Sequence, residues 1–169
     1  MKKFLKPLFI VLLFISAIVA TVLTLAEKPH PKVVLTGNSD KQPVEIFPHA
    51  YQCAKCKMEI ADKNFSAQVV DEKGKTWFFD DIGCLGLWLS EQPFKKRAVI
   101  WVYTIDTQKW IDGRKAFFCV TETTPMHYGF GAYENQKAGM IDLQTVMQRM
   151  RAGEHMANPA YAKTLTGGR

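Results

Sequence analysis

The sequence predicts an α+β fold in which an N-terminal transmembrane helix precedes two small, similar units, each built from a β-hairpin and a helix. Three observations lead to this prediction. Residues 8–26 contain no charged side chain, strand-like and helix-like segments follow in separate runs, and a short motif is echoed later in the chain. About a hundred of the 169 residues remain for the folded part, which is enough for one small core.

The N-terminal segment predicts a membrane anchor at residues 1–26. Lys2, Lys3 and Lys6 precede the uncharged run, which as a helix would rise about 29 Å, close to the hydrocarbon thickness and longer than a cleavable signal core. A signal sequence cleaved after Ala26 is the alternative. Because the lysines should stay on the cytoplasmic side, we expect a single-pass inner-membrane protein whose domain faces the periplasm or the cell exterior. Thiols in that compartment tend to be oxidised.

Charge and composition divide the rest of the chain. The formal net charge is +6, and three of those charges are the early lysines, so the remaining excess is too small and scattered to indicate a nucleic-acid binder. Residues 27–48 are rich in Pro, Lys and small polar side chains, which is typical of a spacer. Residues 153–169 lack an apolar period and predict a flexible tail. The folded domain should therefore occupy residues 49–152.

The first half of that domain reads as a hairpin followed by a helix. FSAQVV (residues 65–70) and KTWFF (residues 75–79) flank DEKG, a loop with a turn glycine. Asp80 and Asp81 are suitable N-caps for a short helix through IGCLGLWLS, which should end before Pro93.

The second half predicts further strands and one helix. AVIWVYTI (residues 98–105) and AFFCVTE (residues 116–122) have strand composition, and the polar segment KWIDGRK lies in the connection between them. After Asp142, apolar residues recur with helical spacing until Gly153, which can close the helix. Met58 and Met126 each precede a Phe-x-Ala segment and a helix with a leading Asp, and this echo suggests two related units.

A CxxCxM motif within YQCAKCKMEI (residues 51–60) carries the chemistry of the sequence. Cys53 and Cys56 alone could be half of a zinc site, a redox dithiol or a structural disulfide. A closed zinc site commonly takes a second short-spaced pair, whereas Cys84 and Cys119 stand alone in apolar stretches that predict core positions. The thioether of Met58 makes the motif more specific.

Copper(I) matches this donor set, because it is a soft ion that favours thiolate and thioether ligands and accepts low coordination numbers. In an extended segment, Cys56 and Met58 would point to the same face, and Cys53 is close in sequence. Met126 and His127 lie in TTPMHYGFG, a loop rich in Pro and Gly, and can supply further donors. The predicted metal ligands are therefore Cys53, Cys56, Met58, Met126 and His127.

Several separate motifs resemble the NosL family, the accessory proteins of nitrous oxide reductase. These motifs are CxxCxM, FSAQ, FDDIGC, KWID and TPM followed by GFGAY, and they run in order from about Tyr51 to Tyr133. The resemblance implies an extracytoplasmic copper(I)-binding protein that supplies the copper centres of the reductase, and a fold of two small α+β units. Members of the family are typically lipoproteins, whereas this chain has no cysteine before Cys53. The position after Met126 is often Gly in the family and is His127 here.

The functional prediction is a membrane-tethered copper(I) metallochaperone that catalyses no reaction. Its partner would be nitrous oxide reductase or another periplasmic copper protein, with the membrane contacted through the N-terminal helix and no nucleic acid bound. Two alternatives remain open at this stage. One is a thiol-disulfide redox module for maturation of a periplasmic metalloenzyme, and the other is a zinc-stabilised interaction domain.

Overall fold

The structure is a computed structural model that describes residues 2–26 and 30–165. The chain divides into two compact units, with the boundary between residues 30 and 31. The beginning of the predicted spacer, residues 27–29, and the end of the predicted tail, residues 166–169, lie outside the described residues.

The first unit consists of helix α1 (Lys2–Ala26). Among the described residues, no helix combines the length and apolar character that crossing a membrane requires. This finding contradicts the predicted transmembrane helix and, with it, the predicted single-pass inner-membrane location with a domain facing the periplasm or cell exterior.

The described residues of the second unit form two antiparallel sheets and three helices. The larger sheet has the order β1-β3-β2-β4-β5 and the smaller one pairs β6 with β7. The strands are β1 (Val34–Leu35), β2 (Ala67–Val70), β3 (Thr76–Phe79), β4 (Val99–Tyr103), β5 (Trp110–Asp112), β6 (Phe117–Cys119) and β7 (Gly131–Tyr133). The helices are α2 (Ile82–Ser90), α3 (Leu143–Ala152) and α4 (Pro159–Leu165). The α+β class is therefore correct.

The predicted hairpin forms between β2 and β3. Ala67 lies opposite Phe79, and Val70 lies opposite Thr76. The turn closes because the Asp71 carboxylate accepts hydrogen bonds from the backbone amides of Lys73 and Lys75. All four residues of β2 are buried, as expected for a strand covered on both faces.

The strands do not divide into two similar hairpin-plus-helix units, and this part of the fold prediction is wrong. Strand β4 pairs with β2 of the first hairpin, with Ala67 opposite Val102 and Val69 opposite Ile100. This pairing buries the apolar residues of both strands in one sheet. The segment KWIDGRK, expected to connect two strands, instead supplies β5 at the edge of that sheet. Only the short strands β6 and β7 remain for the second sheet.

The caps of α2 and α3 follow the sequence prediction. The Asp81 carboxylate accepts a hydrogen bond from the Gly83 amide at 2.7 Å, and the Asp142 carboxylate accepts one from the Thr145 amide at 2.7 Å. Gly153 ends α3 in the left-handed conformation, with φ at 74°. Asp80 does not cap the helix. It connects the end of β3 to α2 and is therefore free to point elsewhere.

One main core joins both sheets to α2 and α3. Among its fully buried residues are Val69 and Phe79 from the larger sheet, Phe118 from the smaller sheet, Leu85 from α2 and Val146 from α3. The start of α2 thus lies in a buried, apolar environment. This environment fixes the position of the site described next.

Candidate metal centre

Three thiols and one carboxylate meet where β3 leads into α2. The sulfur atoms of Cys53, Cys56 and Cys84 and a carboxylate oxygen of Asp80 all lie within 4.8 Å of one another. We call these four residues the thiol cluster. All of its cysteines are free. A cysteine-rich site of this geometry can bind a metal ion.

A tight loop brings the first two thiols together. The Cys53 amide donates to the Met58 carbonyl at 2.8 Å, and the Lys57 amide donates to the Cys53 carbonyl at 3.1 Å. Lys57 has φ at 68°, in the left-handed region, which lets the chain turn back within a few residues. The Ala54 amide donates to the Phe78 carbonyl at 2.8 Å, so the loop is attached to β3 directly before Asp80.

The cluster is shielded from water on most sides. Cys53 and Cys84 are fully buried and Asp80 is 4% exposed, whereas Cys56 is half-buried. The Cys56 thiol donates to the two carboxylate oxygens of Asp80 at 3.4 and 3.5 Å. Buried polar groups of this kind are costly unless they are paired with each other or with an ion. Cys56 is the one sulfur of the cluster that solvent reaches readily.

The acid–base properties of the cluster favour a cation. A hydrogen bond from the Cys84 thiol to the Cys53 sulfur lowers the pKa of Cys53 to about 5. The same hydrogen bond, together with burial, raises the pKa of Cys84. Burial raises the pKa of Cys56 to about 12. Cys53 is therefore the thiol of the cluster that ionises most easily, and a bound cation would replace the protons on the remaining thiols.

The carboxyl group of Asp80 has a pKa well above the ordinary value of an aspartate. Burial, together with the negative charge on Cys53, raises its pKa to about 7. Two negative groups at this distance repel each other in a poorly hydrated site. A cation between them would relieve that repulsion.

Asp81 connects the cluster to the loop that carries the other predicted ligands. One oxygen of its carboxylate caps α2, and the other accepts a hydrogen bond from the Met126 amide at 3.0 Å. Tyr128 of the same loop packs against Gly83, where an added Cβ would overlap the ring. The loop is therefore fixed beside the start of α2.

The five predicted ligands fall in three places. Cys53 and Cys56 belong to the thiol cluster. Met58 and His127 line a hollow of about 430 Å³ that also reaches Asp80. The Met126 side chain is half-buried and packs against the main core. Cys53 and Cys56 are thus brought together with one another, and Met58 and His127 lie on the solvent side of Asp80.

Sequence reasoning did not select Asp80 and Cys84 as ligands. Asp80 was expected to cap α2, and the apolar neighbours of Cys84 predicted a core residue. Cys84 is indeed fully buried, but its sulfur also faces the CxxC loop. Local spacing gave no signal for them, because Asp80 precedes the helix cap Asp81 and Cys84 meets the CxxC loop only through the fold.

Comparison of the chain with protein-family models gives no match, and comparison with curated proteins gives no match either.

Proposed function

We propose that this protein is a copper(I)-binding metallochaperone and that the thiol cluster is its metal site. The observation that carries the proposal is the approach of three cysteine sulfurs, from Cys53, Cys56 and Cys84, to within 4.8 Å of one another. Thiolates select soft ions, and three of them satisfy the low coordination number that copper(I) accepts.

The surroundings of the cluster favour transfer of the ion. Met58 offers a thioether and is 41% exposed, two residues from Cys56. A carrier needs at least one donor that an incoming ligand can displace, and the half-buried Cys56 and the exposed Met58 meet that requirement. No bond in a substrate is made or broken in such a role, so the protein would act without catalysis.

The proposed recipient is nitrous oxide reductase, and the resemblance to the NosL family supports this choice. Another copper protein with sulfur-bearing acceptor sites would satisfy the same chemistry. Because copper(I) binds tightly to any thiolate it meets, a recipient gains from a carrier that passes the ion by direct contact.

A zinc-stabilised domain is the second candidate, because three thiolates and the Asp80 carboxylate would supply four donors for a tetrahedral ion. The two functions differ in metal selectivity and in the effect of the metal on folding. A zinc domain would prefer Zn(II) over Cu(I) and would unfold when a chelator removes the ion. A redox module would instead turn over a disulfide between cluster cysteines.

The test is a competition titration of the reduced protein with a Cu(I) chelator of known affinity, under anaerobic conditions. We expect one Cu(I) per chain. Met58→Leu, a change that nearly conserves volume, should keep the fold and lower the affinity moderately because one thioether is lost. Met147→Leu is the matched control, because Met147 belongs to α3 and packs against the main core.

Equal Cu(I) affinities for the two methionine variants would show that Met58 is not a ligand. A wild-type protein that bound Zn(II) and rejected Cu(I) would contradict the chaperone proposal itself.

A further inference from the structure

Two neighbouring hollows form one continuous surface beside the thiol cluster. The first is the hollow of about 430 Å³ that reaches Asp80, and the second, of about 270 Å³, lies around Phe47. Both are lined by Ala61 and Asp62, so they adjoin. We call this area the Met58 surface, and its relevant residues are Glu45, Phe47, Met58, Glu59, Asp62 and Lys63.

The Met58 surface exposes apolar side chains. In the described part of the second unit, four large apolar residues are exposed, and two of them are Phe47, at 64%, and Met58, at 41%. Aromatic side chains and methionine are enriched in protein–protein interfaces. Phe47 is not a member of either core cluster, so packing in the core does not explain its position.

The charge of the same surface is negative. Glu45, Glu59 and Asp62 carry carboxylates, and the one lysine, Lys63, pairs with Glu45 at 2.9 Å. Glu59 lies 3.0 Å from the exposed ring nitrogen of His49. A negative area of this kind attracts a basic partner and orients its approach.

The first hollow reaches the edge of the metal site. Cys53 and Cys84 are fully buried, and the hollow is lined by Asp80, whose carboxylate accepts a hydrogen bond from the Cys56 thiol at 3.4 Å. A partner that docks on the Met58 surface would therefore bring a donor atom close to the cluster.

We propose that the Met58 surface is the docking site for the protein that exchanges copper(I) with this one, and that this partner surrounds its sulfur-bearing acceptor site with lysine or arginine. The inference rests on the proposed function. It adds which face of this protein the partner contacts and which charge the partner carries there. Phe47 would be covered in the complex, and Glu59 and Asp62 would face the basic residues.

The test uses two synthetic dithiol peptides as copper acceptors, identical except that one is flanked by lysines and the other by glutamates. The rate of Cu(I) transfer from the loaded protein to each peptide is measured at low and high ionic strength. At low ionic strength the lysine peptide should accept copper about 10-fold faster, and salt should remove most of the difference. The double variant Glu59→Gln/Asp62→Asn should lose the preference, while its Cu(I) affinity stays unchanged.

Glu72→Gln is the matched control, because the exposed Glu72 pairs with Arg97 and lines neither hollow. It should keep the preference for the lysine peptide. Equal transfer rates to both peptides, or a preference that survives in the double variant, would overturn this inference while leaving Cu(I) binding intact. Failure of the wild-type protein to bind Cu(I) at all would instead overturn the proposed function, and this inference with it.

Discussion

Cys84→Ala should lower the Cu(I) affinity by at least about 10- to 100-fold. Mutation of residues that only support the ligands of a metal site already has an effect of this size, and Cys84 is itself a proposed ligand. The reason is that Cys84 contributes one of three sulfurs to a shielded cluster, and water cannot easily replace a lost ligand there. Affinity is measured by anaerobic chelator competition.

Cys119→Ala is the control for this variant, because Cys119 lies in β6 and is not a member of the thiol cluster. It should bind Cu(I) like the wild-type protein. Removing a buried sulfur from position 84 should cost about 1 kcal/mol of folding stability, so circular dichroism is expected to show a folded variant. Equal Cu(I) affinities of the two variants would remove Cys84 from the site.

Asp80→Asn should change metal affinity and apo stability in opposite directions. The variant loses the negative charge that favours a cation, so its Cu(I) affinity should fall. Without metal, it should be more stable than the wild-type protein at pH 8, because it no longer has to ionise a buried carboxyl group. Chemical unfolding at several pH values, combined with the copper titration, measures both effects.

The sign of the pH dependence follows from the raised pKa of Asp80. The folded protein holds this proton up to about pH 7, whereas the unfolded chain releases it near the ordinary Asp value of about 4. Raising the pH through that window therefore costs the wild-type apo protein stability, at most about 4 kcal/mol, and the variant is spared this loss. The two proteins should be equally stable near pH 4. A variant that is less stable than the wild-type protein at pH 8 would show that the Asp80 carboxylate supports the fold.

The elements that the sequence predicted correctly depend on local interactions. Asp81 and Asp142 bond to amides two and three residues away, and the β2–β3 hairpin closes over a short turn. Residue types and short spacings contain this information. The strands β1 and β7, with two and three residues, are too short for a periodic pattern to reveal.

The errors in strand pairing and in the choice of ligands concern contacts between distant parts of the chain. The pairing of β2 with β4 joins residues that lie between 29 positions (Val70 and Val99) and 35 positions (Ala67 and Val102) apart, and two apolar strands give no indication of which partner each will select. The same limit applies to the site. Cys53 and Cys56 were selected because they are neighbours in sequence, whereas Cys84 reaches them only because β3 and α2 return the chain to the CxxC loop. The apolar neighbours of Cys84 correctly predicted that it is buried. A buried cysteine can still be a member of the thiol cluster, as Cys84 is.

X-ray absorption at the copper edge of the reduced protein, loaded anaerobically with one equivalent of Cu(I), tests the central claim most directly. The thiol cluster predicts that one copper is retained per chain, with a first coordination shell dominated by sulfur that is depleted in Cys84→Ala and unchanged in Cys119→Ala. A protein that retains no copper, or whose copper has a first shell of nitrogen and oxygen alone, would contradict the account.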